Sequence, residues 1–251
     1  MKYNTVTCGD AIELMRGIDD NSIDCIVTSP PYNIGPKKGR TRVGPNGEKV
    51  TALWRGIHDY EDTMPEEDYQ EWQSWVLCEF ERIIKPEGSI FYNHKVRQRN
   101  RKIIHPMEWF PRVLTLRQEI IWDRHDTHNH DKGYFYPVDE RIYWLTKSRD
   151  VKFHNEGYST VWSIPRAESS NRHNAPFPPE IPRRCIEVST DKGDVVLDPF
   201  MGSGTTIWSA RAMGRRYIGF DINQYYVDYV NGGMGHTKNI PNNSQIREVP
   251  R

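Results

Sequence analysis

Two short stretches carry residue types that can do chemistry: Ser29-Pro30-Pro31-Tyr32 near the start of the chain and Gly202-Ser203-Gly204 near its end. In the first, two prolines fix the backbone and remove two amide donors. The carbonyl of Pro30 can then accept a hydrogen bond, the Ser29 side chain offers a second acceptor, and Tyr32 offers an aromatic face. Such a set suits a flat base bearing an amino group, with two acceptors gripping its hydrogens and a ring stacked beneath. A plain proline turn capping a strand would use the same four residues, so they do not decide the matter alone.

The second stretch sits where a strand is expected to meet a helix. Its glycines let backbone amides approach a ligand with no Cβ in the way. Asp221 follows about twenty residues later at the tip of the next predicted strand, where an acid can hold two ribose hydroxyls. This describes a nucleoside cofactor without saying which one. A dinucleotide fingerprint would need a third glycine where Ile207 stands, and a P-loop would need a lysine where Thr205 stands.

These loops need strands to position them. Asp24 to Thr28 is a short apolar run feeding the proline loop, and Val195-Val196-Leu197 feeds Asp198-Pro199-Phe200-Met201-Gly202. A helix is predicted from Thr205 to about Met213, then a strand over Tyr217 to Asp221, completing a βαβ unit of a doubly wound sheet. Thr63 with Glu66 reads as a capping box. Tyr69, Trp72, Val76, Phe80 and Ile83 then give one apolar helix face. Lys85-Pro86-Glu87-Gly88 is expected to end that helix as a turn, with strands at Ser89 to Asn93, Arg117 to Asp123 and Arg141 to Thr146.

The bulk properties set limits. A chain of 251 residues, 36% hydrophobic with eight Trp and thirteen Tyr, can bury a core without disulfides. No apolar run approaches a membrane span, and a cytoplasmic location is expected. Cys8, Cys25, Cys78 and Cys185 lack ligand spacing and read as reduced, mostly buried thiols. His125, His128 and His130 with Asp126 and Asp131 fit no standard zinc pattern, so no metal is expected. Lys plus Arg balances Asp plus Glu at 34 each, so net charge does not argue for nucleic acid.

Thr28 to Asn33 and Asp198 to Thr206, in that order, resemble the motifs of the beta-class DNA amino-methyltransferases, in which the catalytic motif precedes the cofactor motif. Further matches are Gly9-Asp10-Ala11, Arg82 to Gly88, and His173-Asn174-Ala175-Pro176-Phe177-Pro178. The resemblance covers roughly residues 5 to 230. It implies an α/β, Rossmann-like doubly wound, mainly parallel sheet with circularly permuted motif order and an inserted target-recognition segment. The expected division is 1–122 for the catalytic half, 123–172 for recognition, 173–231 for the cofactor half and 232–251 as a flexible tail.

The resemblance also implies roles. Ser29, Pro30, Pro31 and Tyr32 would form the target-base pocket. S-adenosyl-L-methionine would be held by Ala11, Ser29, Asp198, Phe200, Gly202, Ser203, Gly204 and Thr205, with Asp221 on its ribose, Asp10 on its adenine amino group, and His173, Asn174 and Phe177 beside its methionine portion. The target base must leave the double helix to be methylated. Many adenine-specific relatives carry Asp where this chain has Ser29, so the resemblance leans to N4-cytosine, with N6-adenine as the alternative. A catalytically inactive DNA-binding subunit is a more distant reading, opposed by the intact motifs. Double-stranded DNA is the expected partner, with a homodimer and a cognate restriction endonuclease expected by analogy.

Two basic clusters are candidates for phosphate contact: Lys37, Lys38 and Arg40 after the proline loop, and Lys95, Arg97, Arg99, Arg101 and Lys102 after the strand at Ser89 to Asn93.

Overall fold

In a computed structural model, residues 2–34, 41–43, 49–51, 63–127, 133, 135–167 and 178–232 are described. The strands are β1 (Thr5–Cys8), β2 (Ile23–Thr28), β3 (Thr41–Val43), β4 (Lys49–Thr51), β5 (Ile84–His94), β6 (Arg97–Arg99), β7 (Lys102–Ile104), β8 (Thr115–Asp123), β9 (Asp139–Thr146), β10 (Val161–Ser163), β11 (Val195–Asp198) and β12 (Arg216–Asp221). The helices are α1 (Ala11–Arg16), α2 (Glu66–Ile83), α3 (Glu180–Ser189), α4 (Thr205–Ala212) and α5 (Gln224–Asn231), with a 3-10 turn at Pro106–Trp109.

Eight strands form one sheet in the order β1-β12-β11-β2-β5-β9-β8-β10. The run from β1 to β5 is parallel throughout. β9 is antiparallel to both neighbours, and β10 pairs parallel with β8. β3–β4 and β6–β7 are separate two-stranded ribbons.

Because β2 is buried along its whole length, it reads as a continuous apolar run rather than an alternation. Its residues still divide between faces. Ile26 packs with Met15, Val76, Leu77 and Phe80 of α1 and α2, while Cys25 and Val27 pack with Ile181, Cys185 and Ala210 of α3 and α4. Helices therefore cover both faces, which makes the sheet doubly wound. Each fully buried large apolar side chain here contributes about 1.5–3 kcal/mol of transfer free energy. Asp24 stitches the central strands together: its carboxylate accepts from Lys85 Nζ (2.6 Å) and from the Val195 amide (2.9 Å).

Local details differ from the sequence expectations. α2 begins at Glu66 with Pro65 at the capping position and no side-chain cap, so Thr63 and Glu66 form no capping box. The Glu66 carboxylate is drawn instead to Arg97 and Arg99. Lys85 to Gly88 is not a turn between helix and strand but lies within β5. The register jumps there from Ile23↔Ile84 to Cys25↔Ser89, so the segment bulges. Gly88 is required at that point, since a Cβ would come within 2.8 Å of the Asp24 carbonyl oxygen.

Part of the expected recognition segment 123–172 contributes strands to the main sheet. β9 lies hydrogen-bonded between β5 and β8 with Ile142, Tyr143, Trp144 and Leu145 buried, so a boundary at 123 cuts through the core. Of the cysteines, Cys25 and Cys185 are buried, but Cys8 is half-buried and Cys78 exposed. Burial pushes the Cys25 thiol up to about 12. No helix among the described residues is long and apolar enough to cross a membrane. Of the expected tail, 232–251, Gly232 closes α5 and residues 233–251 lie outside the described residues.

Candidate active site

Neighbouring parallel strands end on the same edge of a sheet, and β2 and β11 are neighbours, with Leu197 opposite Ile26. Their tips are tied directly, because Thr28 Oγ1 donates to Asp198 Oδ1 at 2.8 Å. Burial pushes the Asp198 carboxyl up to about 6, against the hydrogen bonds from Thr28, Thr206 and the Phe200 amide. The proline loop and the glycine loop thus leave the sheet side by side, at the carboxyl edge where ligands bind in such folds.

The glycine loop is shaped by its own backbone and by β12. Gly202 (φ 50°) and Gly204 (φ 80°) are left-handed. The Gly202 amide donates to Asp221 Oδ2 (2.9 Å), while Asp221 Oδ1 accepts from the Asn223 amide (2.8 Å). Burial raises the Asp221 carboxyl. Each oxygen spends one lone pair on these amides and keeps another. Gly204 has a packing reason as well, since a Cβ there would lie 2.6 Å from Val230 Cγ2. Ser203 and Thr205 are buried. Phe200 meets Trp72 of α2 edge-on, with centroids 5.7 Å apart.

β1 brings Asp10 to the same edge, since Cys8 pairs with Asp221. Asp10 Oδ1 caps α1, accepting from the Ile12 (2.9 Å) and Glu13 (3.0 Å) amides, and Ala11 is buried. The acid expected to reach a cofactor's adenine therefore has one oxygen committed to its own helix.

The proline loop is braced from below by α2. The Pro31 carbonyl accepts from Gln73 Nε2 (3.1 Å) and lies 2.7 Å from Tyr69 Oη, and Asn33 Nδ2 donates to the Met64 carbonyl (2.9 Å). The Tyr32 ring lies 4.4 Å from the His94 ring. His94 is completely buried, its two nitrogens hydrogen-bonded to Tyr69 Oη and the Lys95 carbonyl. Burial lowers its pKa to about 3, so it is neutral at any pH of physiological interest.

Ser29 Oγ and Tyr32 Oη are 2.7 Å apart, and Tyr32 Oη donates to Glu140 Oε2 at 3.1 Å. Burial, then the charge of Glu140, raise the Tyr32 phenol well above its ordinary value, so it stays protonated. Asn93 Nδ2 donates to Glu140 Oε2 (3.0 Å) and reaches Tyr32 Oη. Arg124 holds the other Glu140 oxygen at 2.8 Å. Asn93, His94, Arg124 and Glu140 gather around the Ser29–Tyr32 loop, and the sequence reading gives them no role. Asn93 and His94 do carry a signal, as polar residues ending a buried strand at the ligand-binding edge.

The second basic cluster divides. Arg97 is not available to phosphate: it is 5% exposed, forms two hydrogen bonds to Glu66, and lies 4.6 Å from the Tyr69 ring centroid. Arg99 reaches the same carboxylate. Burial would raise the Glu66 pKa, but hydrogen bonds from Arg97, Gln70 and Arg99 outweigh it and hold the group below its usual range. Lys95 is half-buried above Tyr32, whereas Arg101 and Lys102 are exposed on the β6–β7 ribbon. Lys37, Lys38, Arg40, His173, Asn174 and Phe177 lie outside the described residues, as do His128, His130 and Asp131.

A family model for N6/N4 methyltransferases, described as DNA methylase, matches residues 23–232. The type II methyltransferase M.BglII of Bacillus subtilis is 28% identical over 98% of this chain and 74% of its own length. The DNA adenine methyltransferase YhdJ of Escherichia coli K12 is 25% identical over 89% of this chain and 80% of its own. Among solved structures, the cytosine-N4-specific PvuII DNA methyltransferase superposes with a TM-score of 0.74 at 19% identity, covering 96% of this chain and 89% of that one. A Thermus thermophilus protein, provisionally described as a DNA modification methylase and solved with S-adenosyl-L-methionine, superposes with a TM-score of 0.65 at 22% identity, covering 91% and 92%. With two neighbouring strand tips bearing the two motifs and a family model spanning most of the chain, this protein belongs to the N6/N4 DNA methylase family.

Proposed function

We propose that the chain transfers a methyl group from S-adenosyl-L-methionine to the exocyclic amino group of a base flipped out of double-stranded DNA. The observation that carries this reading is the Thr28–Asp198 contact, which sets the Ser29–Tyr32 loop beside the glycine loop. The second loop suits a nucleoside cofactor. Asp221 keeps one lone pair on each oxygen for a ribose diol while its other contacts hold the Gly202 turn in shape. Bound there, S-adenosyl-L-methionine would supply an electrophilic methyl on a sulfonium.

The chain's own residues then have a defined task. An exocyclic amine is a poor nucleophile because its lone pair is conjugated into the ring. Accepting both amino hydrogens, at Ser29 Oγ and the Pro30 carbonyl, draws the nitrogen toward tetrahedral geometry and frees its lone pair. Gln73 fixes the loop by gripping the next carbonyl, that of Pro31, with Tyr69 Oη packed against it. Positioning and fixed dipoles then supply the rate enhancement without a covalent enzyme adduct. Ser29 in place of an aspartate favours N4 of cytosine. The reading of N6 of adenine is kept because a carboxylate, Glu140, stands behind Ser29 through Tyr32.

The test is to incubate the purified protein with methyl-labelled cofactor and DNA, then digest to nucleosides. Label in N4-methylcytosine supports the first reading and label in N6-methyladenine the second. Label in neither, or only in RNA or protein acceptors, overturns the proposal.

A further inference from the structure

Three hydroxyl and carboxyl groups in the pocket form a chain whose direction is set from one end. A carboxylate can only accept hydrogen bonds, and Glu140, paired with Arg124, stands at that end. Tyr32 has a single hydroxyl proton and gives it to Glu140 Oε2. Tyr32 Oη can then only accept from Ser29, so the Ser29 proton points at Tyr32. Ser29 Oγ also lies 3.4 Å from Asn93 Nδ2, so what it has left to present to the pocket is a lone pair.

Asn93 confirms the polarity of the cluster. Its Nδ2 faces Glu140, Tyr32 and Ser29, while its buried Oδ1 accepts from no described group. An orphaned buried acceptor carries an uncompensated desolvation cost. The opposite amide orientation would set that oxygen against the Glu140 carboxylate, which is worse.

We propose that Glu140 is a positioning residue for the methyl-transfer step: acting through Tyr32, it orients the Ser29 hydroxyl so that Ser29 can accept, and not donate, a hydrogen bond at the amino group of the target base. The carboxylate also polarises the relay, since a hydroxyl that donates into an anion becomes a stronger acceptor. Ser29 thereby gains part of the acceptor strength that an aspartate in its place would have. The inference rests on the reading of the pocket as a base-methylating site.

The test is a double-mutant cycle on the full chain with S-adenosyl-L-methionine and DNA, using Glu140→Gln and Tyr32→Phe. A glutamine can turn an N–H toward Tyr32 and so scrambles the direction of the relay. Glu140→Gln is expected to lower kcat about tenfold, with cofactor Kd within about twofold of the parent. In the Tyr32→Phe background, where the relay is already cut, the same change should lower kcat by less than about twofold. Equal losses in both backgrounds would show that Glu140 acts by another route and would overturn the relay, as would an unchanged kcat. If Glu140→Gln does not melt cooperatively, Tyr32→Phe, which keeps the ring, carries the test alone. It must lose about tenfold in kcat with cofactor affinity retained, and parental turnover defeats the proposal. A parent protein that methylates no DNA defeats the reading of the pocket instead, before any variant is compared.

Discussion

Thr28 Oγ1 and Asp198 Oδ1, 170 residues apart in the chain, are joined by a 2.8 Å hydrogen bond between the tips of adjacent strands. The bond is made at an electrostatic cost, since burial raises the Asp198 carboxyl from 3.8 to about 6. The folded chain therefore binds a proton more tightly than the unfolded chain. Stability contributed by this group is greatest at low pH and falls as pH rises from about 4 to above 6. At neutral pH the penalty is on the order of 3 kcal/mol. Asp198→Asn keeps an acceptor for Thr28 and removes the penalty. Its stability relative to the parent, measured by urea unfolding, should be higher at pH 8 than at pH 4.5, and a difference independent of pH would contradict this account.

Ser29→Ala removes one of the two acceptors proposed for the amino group and leaves the glycine loop untouched. Turnover should fall more than about tenfold while cofactor affinity stays within about twofold. Near-normal turnover would take Ser29 out of the mechanism.

Asp221→Ala strips the Gly202 amide of its partner and removes the proposed ribose acceptor in one change. Cofactor Kd should rise at least about tenfold by calorimetry. Unchanged affinity would show that the ribose is held elsewhere.

The parts of this site that were legible in the sequence are those that depend on short-range order. β2 and β11 announce themselves as short runs rich in β-branched residues, and the loops after them by Pro and Gly, because local backbone sterics impose those residues. Glu140 was not legible. It stands 108 residues from Tyr32 and enters the site only because β9 pairs antiparallel with β5. Arg97 misled for a related reason. A run of cations reads as a wetted surface, and nothing local reveals that one of them sits beneath α2 against two aromatic rings.

Gly204→Ala tests whether the glycine loop is constrained by packing as well as by ligand access. The residue has φ 80°, and a Cβ would lie 2.6 Å from Val230 of α5. The left-handed backbone and the overlap together should cost about 2–4 kcal/mol in urea unfolding of the protein without ligand. A loss below about 1 kcal/mol would mean that α5 yields easily and that the glycine matters only for the cofactor.

Arg97 and its exposed neighbours should separate stability from DNA binding. Arg97→Ala leaves Glu66 without its two-pronged partner and uncovers the Tyr69 and Trp109 rings. It should cost about 2–4 kcal/mol of stability and leave the salt dependence of DNA affinity unchanged. Arg101→Ala and Lys102→Ala, on the exposed ribbon, should do the reverse. Stability should hold, and each should flatten the slope of log affinity against log salt by about one if it meets a phosphate. Titrations of labelled duplex at several salt concentrations, beside urea melts of the same proteins, decide the point. An Arg97→Ala protein with parental stability and a shallower slope would place that guanidinium on the DNA and refute its assignment to the core.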